Sequence, residues 1–226
     1  ALCCRGQAVL KMCVCVCRRL AGMPVGLALL SCLLWMAAPA LPRSDFRLAR
    51  VTDDRLLACT CAWAPPACGP LDANICDCRE RPLPASWRTD GLVHAKRLTV
   101  WYTSALGVAL LLDGSEVRHL SLVKCNSSAA KTASHDYFTV QRLERLTVSY
   151  PFLRAGPSHD LVLGAPHPEE SRVGVIHTSI LAGKPTVKAY TVLTNVDSDG
   201  FLPFPCLRMS RLRLPEASSV FVTFLY

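Results

Sequence analysis

Beyond its first forty residues the chain has little that would commit it to a membrane, a nucleic acid or a familiar catalytic site. Its marked later apolar runs, residues 105–112 (ALGVALLL) and 220–226 (VFVTFLY), are eight and seven long. A spanning helix needs about 20 residues, so neither crosses a bilayer, and the first reads as buried core. Aromatic residues make up only 7%. Basic residues are scattered singly, as at Arg47, Arg50, Arg55, Arg142 and Arg145. No basic block interleaves with aromatics, which argues against nucleic-acid binding.

Catalytic signatures are equally scarce. There is no G-x-S-x-G turn to present a nucleophile. Ser158, His159 and Asp160 are triad residue types, but as direct neighbours they do not converge. His94, His119, His135, His167 and His177 form no H-x-x-x-H pair with a glutamate base. The 12 glycines are dispersed, so no loop cradles a phosphate. No catalytic, cofactor-binding or metal-ligating residue is assigned, and a non-enzyme is expected.

At the front is a leader. Arg18 and Arg19 precede an uncharged run over residues 25–38 (VGLALLSCLLWMAA), and Ala38-Pro39-Ala40 supplies small residues at −3 and −1 of a cleavage site. A basic region, a short apolar region and an A-x-A end describe a secretory signal peptide. A retained signal anchor is the rival reading. Met12 and Met23 are both candidate starts, and a start at Met23 leaves Cys3, Cys4, Cys13, Cys15 and Cys17 unmade. The expected organisation is a leader over 1–40, a cysteine-rich segment over 41–90 and a β-rich domain over 91–226. After cleavage no membrane span is expected. Hydrophobic residues are 51% and charged ones 19%, a folded composition. The net charge is +8; past residue 40 it falls to about +4, a mild positive field that suits acidic glycans or lipid head groups and is equally explained by a solvated surface.

Cysteine is abundant. Cys59, Cys61, Cys68, Cys76, Cys78, Cys125 and Cys206 lie beyond the leader, five of them as C-x-C-x6-C-x7-C-x-C. Pro65-Pro66, Gly69-Pro70 and Asp72 between them build turns rather than regular elements. An exported segment so poor in core residues is expected to close with disulfides, each contributing about 2–4 kcal/mol. Zinc would favour C-x2-C spacing and an accompanying histidine, and a redox motif needs C-x-x-C. Connectivity stays open. Seven is odd, so one cysteine is free or pairs with another molecule, and a disulfide-linked dimer is one outcome.

The body reads as strands with a weak repeat. Residues 117–126 (VRHLSLVKCN) fit the leucine-rich-repeat core L-x-x-L-x-L-x-x-C/N with valine first. Residues 143–148 (LERLTV), 209–214 (MSRLRL) and, more loosely, 95–100 (AKRLTV) repeat its first half. Leu98, Leu120 and Leu146 are 22 and 26 residues apart, within the repeat's range. The expected fold is β-rich: an irregular leucine-rich-repeat-like solenoid with an N-terminal disulfide cap. The alternative is an α+β or β-sandwich domain. Residues 105–112 are the best helix candidate.

Asn126-Ser127-Ser128 is the N-x-S/T sequon and marks Asn126 as a glycan acceptor. Residues 195–200 (NVDSDG) begin like a calcium loop, yet the twelfth position, which should be glutamate, is Cys206. An Asp-Gly turn fits better.

The ordered set Cys59-Thr-Cys61, Cys68, residues 71–78 (LDANICDC), Gly91-Leu92, residues 98–103 (LTVWYT), residues 117–125 (VRHLSLVKC) and 221–226 (FVTFLY) resembles the exosomal polycystin-1-interacting protein family. The resemblance implies a secreted glycoprotein, associated with extracellular vesicles, that binds the polycystin-1 ectodomain and carries no catalytic residues. The expected function is therefore a secreted, non-catalytic binding module for a membrane-protein ectodomain or vesicle component, without nucleic acid. The alternative is a small lumenal hydrolase.

Overall fold

Alternation sets the architecture. In Leu98-Thr99-Val100-Trp101-Tyr102, successive side chains leave opposite faces of the backbone, and apolar residues on both faces make a strand buried on both sides. The computed structural model describes residues 46–82, 93–126, 137–152, 158–163, 171–183, 186–196, 200–202, 207–208 and 219–226. The leader, Ser127 and Ser128, His135, His167, Asp197, Asp199, Cys206 and the 209–214 repeat lie outside them.

The strands are β1 (Phe46–Val51), β2 (Arg55–Cys61), β3 (Cys76–Pro82), β4 (His94–Tyr102), β5 (Ser115–Lys124), β6 (Tyr137–Gln141), β7 (Arg145–Ser149), β8 (His159–Val162), β9 (Ser171–His177), β10 (Ala189–Asn195), β11 (Phe201–Leu202), β12 (Leu207–Arg208) and β13 (Ser219–Leu225). Eleven of them form one mixed sheet in the order β10-β13-β9-β6-β5-β4-β1-β2-β3, with β7 paired to β5 and β8 to β7. β11 and β12 pair separately. The helix expected over 105–112 forms with those bounds as α1 (Ala105–Leu112). Ser104 Oγ accepts from Gly107 N at its start, the favoured N-cap bond. Only Leu106 and Leu110 of α1 are exposed, as expected of a helix apolar all round.

Those pairings replace the expected solenoid with a single mixed sheet. The repeat survives in part: β4, β5 and β7 are parallel neighbours, with Leu98 opposite Leu120 and Leu120 opposite Leu146. Flanking strands then run the other way. β2 is antiparallel to β1 and β3, β9 to β6, β8 to β7 and β10 to β13. A solenoid requires every coil to add a strand in one direction, and the reversals end it. Nor do the cysteine-bearing strands cap a stack. β3 pairs with β2 and β2 with β1, which runs parallel to β4 from Leu48 opposite Thr99 to Val51 opposite Tyr102, placing them in the same sheet as the body.

The largest apolar cluster gathers α1 with Val100, Leu122, Val148 and their neighbours on one face. Trp101 and Val123, adjacent in sequence to Val100 and Leu122, pack with Leu48 and the cystines. By alternation this second cluster occupies the opposite face. A third, with Val173, Val175, Val220, Val222 and Phe224, is joined by Val196 and Leu202.

The repeat also ends in register. Tyr102 lies opposite Lys124, and Tyr150 follows Ser149, which lies opposite Val123. All three donate to successive carbonyls of the 3-10 turn Thr178–Ala182: Tyr150 Oη to Ile180 at 2.5 Å, Tyr102 Oη to Leu181 at 3.1 Å and Lys124 Nζ to Ala182 at 2.9 Å. The carboxyl ends of three parallel strands are thereby tied to one turn.

Candidate functional site

The cystines fasten one end of the sheet. Cys59 bonds Cys78 and Cys61 bonds Cys76, each pair directly opposite across β2 and β3. Cys68 bonds Cys125, tying the loop between β2 and β3 to the end of β5. The intervals closed span 19, 15 and 57 residues. Chain entropy assigns the short bridges about 3 kcal/mol each and the long one about 4 kcal/mol. Inside the loop Asp72 Oδ1 accepts from Asn74 N, an Asx turn. Cys206 lies outside the described residues.

At the pole away from the 3-10 turn, where the parallel strands start, a cleft of 590 Å3 is lined by Arg47, His94, Ala95, Lys96, Arg97, Glu116, Arg118 and Arg142. The bulge between β6 and β7 helps to build it. Arg142 takes a left-handed backbone, φ 59°, and its N–H donates to Arg172 O while Glu144 N donates to Arg118 O. Leu143 then turns inward against Gly174, whose absent side chain makes room; a Cβ there would lie 2.7 Å from Leu143 Cδ2. Glu116 Oε2 faces His94 Nδ1 at 3.2 Å and Arg142 Nε at 3.9 Å. Arg118 pairs with Glu144 at 3.7 Å, and Arg47 Nη1 donates to His94 O at 3.0 Å. Among the described residues no ion pair engages the side chains of Lys96 or Arg97.

The two sheet edges differ in chemistry. β3 is cross-linked to its neighbour and bears Arg79, Glu80 and Arg81, charges of the kind that block edge pairing. β10 pairs only with β13 among the described residues. It exposes Tyr190 and Leu193; Tyr190 meets Tyr226 edge-on at 6.2 Å and stacks on Phe224 at 4.8 Å.

Among the described residues, the remaining candidates are not brought together. His159 and Asp160 are consecutive on β8, so their side chains diverge. Asp160 is held by Arg145 through both carboxylate oxygens and by Thr147 Oγ1. The Arg145 bonds hold its carboxyl below the usual range against the opposing effect of desolvation, with Thr147 and the Arg145 charge adding to the lowering. Among the described residues no group of three His, Cys, Asp or Glu side chains gathers as metal ligands would. His177 Nδ1 lies 2.6 Å from Ser179 Oγ, a serine–histidine pair that the sequence reading missed. The same nitrogen accepts from Ser179 N at 3.1 Å, and His177 is the N-cap of the 3-10 turn. Half-buried Asn126 donates Nδ2 to Thr103 O at 3.3 Å, while its Oδ1 is buried without a partner. An N-linked amide keeps one N–H, enough for that bond. No helix among the described residues is long and apolar enough to cross a membrane.

The basic cleft is not visible in the sequence, because its residues are separated by up to 95 positions and meet only through strand order. A family model described as exosomal polycystin 1 interacting protein matches residues 27–226. No curated protein and no solved structure matches.

Proposed function

The chain belongs to the exosomal polycystin-1-interacting protein family, and on that premise we propose that it is an exported, non-catalytic module that binds the extracellular part of polycystin-1. Its setting is the extracellular space and the surface of extracellular vesicles. The family match over residues 27–226 carries this reading, and the three disulfides suit an oxidising compartment. In it residues 1–40 are removed as a signal peptide and Asn126 bears a glycan. The docking surface is the β10 edge. Exposed Tyr190 and Tyr226 on one face and Leu193 on the other supply apolar anchors, and the strand's outer side can pair with a partner strand.

Capture from conditioned medium on immobilised polycystin-1 ectodomain tests both parts. Wild type is retained, and Leu193→Lys, which puts a charge into the dry centre of the contact, is retained about tenfold less. Arg79→Ala on the opposite edge is retained like wild type. Failure to retain correctly oxidised wild type contradicts the partner, and equal retention of Leu193→Lys contradicts the surface.

A second reading, a small hydrolase, draws on the Ser179–His177 distance of 2.6 Å. The cap accounts for it more simply. With Nδ1 accepting the Ser179 backbone proton, the ring stands as a turn's anchor, and no described carboxylate orients it as a general base requires. A fluorophosphonate serine probe distinguishes the two: the binding-module reading predicts no labelling of Ser179.

A further inference from the structure

We propose that the basic cleft at the starting ends of β4 and β5 is a binding site for a sulfated glycosaminoglycan chain. Four neighbouring strands or their junctions supply its cations. β1 brings Arg47, β4 brings Lys96 and Arg97, β5 brings Arg118, and the bulge after β6 brings Arg142. Strands stand about 4.8 Å apart, so three spacings spread these charges over roughly 14 Å. A row of that length meets successive anionic groups on a linear polymer, whereas a lone phosphate would engage only part of it.

The charge is only partly cancelled internally, two of the five cations having a carboxylate partner. Glu116 is the one carboxylate among the described residues lining the cleft, and it already faces His94 and Arg142. Glu144 takes Arg118 from outside. Lys96 and Arg97 project with no ion pair among the described residues. Four of the five cations are arginines, whose planar forks match the oxygens of a sulfate as they match those of a phosphate.

Shape and composition select among polyanions. Among the described residues, Ala95 is the sole apolar one in the lining, and none of the large exposed apolar side chains, Trp63, Phe152 and Val162 included, belongs to it. A membrane-surface site needs apolar side chains that enter the acyl boundary. Single-stranded nucleic acid needs aromatic faces for its bases. The cleft offers neither, and a sulfated sugar needs neither. It is also separate from the β10 edge, lying on β1, β4 and β5, so either proposal can fail alone.

The test uses the oxidised full-length secreted protein, with a heparin-derived octasaccharide as probe in isothermal titration. Lys96→Thr/Arg97→Thr removes two unpaired cations with a residue strands favour; Arg118→Gln is a second, independent variant. Wild type binds, its affinity falls with added salt, and each variant weakens it about tenfold or more at unchanged melting temperature. Leu193→Lys binds the octasaccharide like wild type. The proposal is overturned if wild type does not bind at physiological salt, if both variants bind unchanged, or if desulfated octasaccharide binds equally well. Tighter binding to phosphatidylserine vesicles or to single-stranded polyuridine, abolished by the same variants, overturns it as well.

Discussion

Lys124 is 2% exposed and carries its ammonium to a backbone carbonyl rather than a carboxylate. Burial lowers its pKa from 10.5. Beside it, burial pushes the Tyr150 hydroxyl up from 10.0 to about 12 and raises Tyr102 further, the latter helped by Tyr150. These shifts act on stability in opposite directions. Below 10.5 the unfolded chain holds the Lys124 proton more tightly, so stability grows as pH climbs toward that value. Above 10 the unfolded tyrosines ionise first, so the stability they contribute is lost as pH rises through 10 to 12. For Tyr150 the loss amounts to roughly 2–3 kcal/mol. Denaturant midpoints should therefore peak near pH 10 and then fall. Lys124→Met should flatten the rise, and Tyr150→Phe should shrink the fall; a flat profile to pH 12 in wild type contradicts this. The repeat's leucines were legible because period-two alternation survives in any context. Its closing Tyr, Lys and Tyr were not, since a polar residue after a strand ordinarily reads as surface.

At the scale of elements, α1 was legible to the residue because capping and composition are local. The solenoid expectation failed for a related reason. Leucine spacing reports that β4, β5 and β7 bury one face, but it is silent on which way β2, β9 and β13 run. The bulge at Arg142 was equally hidden, because it depends on Gly174 lying across from Val140 on a strand some thirty residues later. Replacing Gly174 with valine should push Leu143 outward and cost about 1–3 kcal/mol by overpacking. It should also weaken octasaccharide binding, because Arg142 leaves its place. Thermal unfolding and titration of Gly174→Val check both, and a variant as stable as wild type contradicts the packing described.

On the scale of the whole molecule, one pole of the sheet is tied by a turn, one edge is locked by cystines, and the other edge and the basic cleft are the two proposed contact sites. The cysteine cluster was plain in the sequence as a place needing closure, whereas its pairing required knowing that β2 and β3 lie side by side. The cleft is the extreme case, since cations scattered from Arg47 to Arg142 gain meaning only when four strands assemble them. Binding of purified, oxidised protein to immobilised polycystin-1 ectodomain by interferometry tests the account most directly. Saturable binding that disappears on reduction of the disulfides, and falls about tenfold in Leu193→Lys, is the predicted result. No binding by protein shown to carry all three bridges would contradict it.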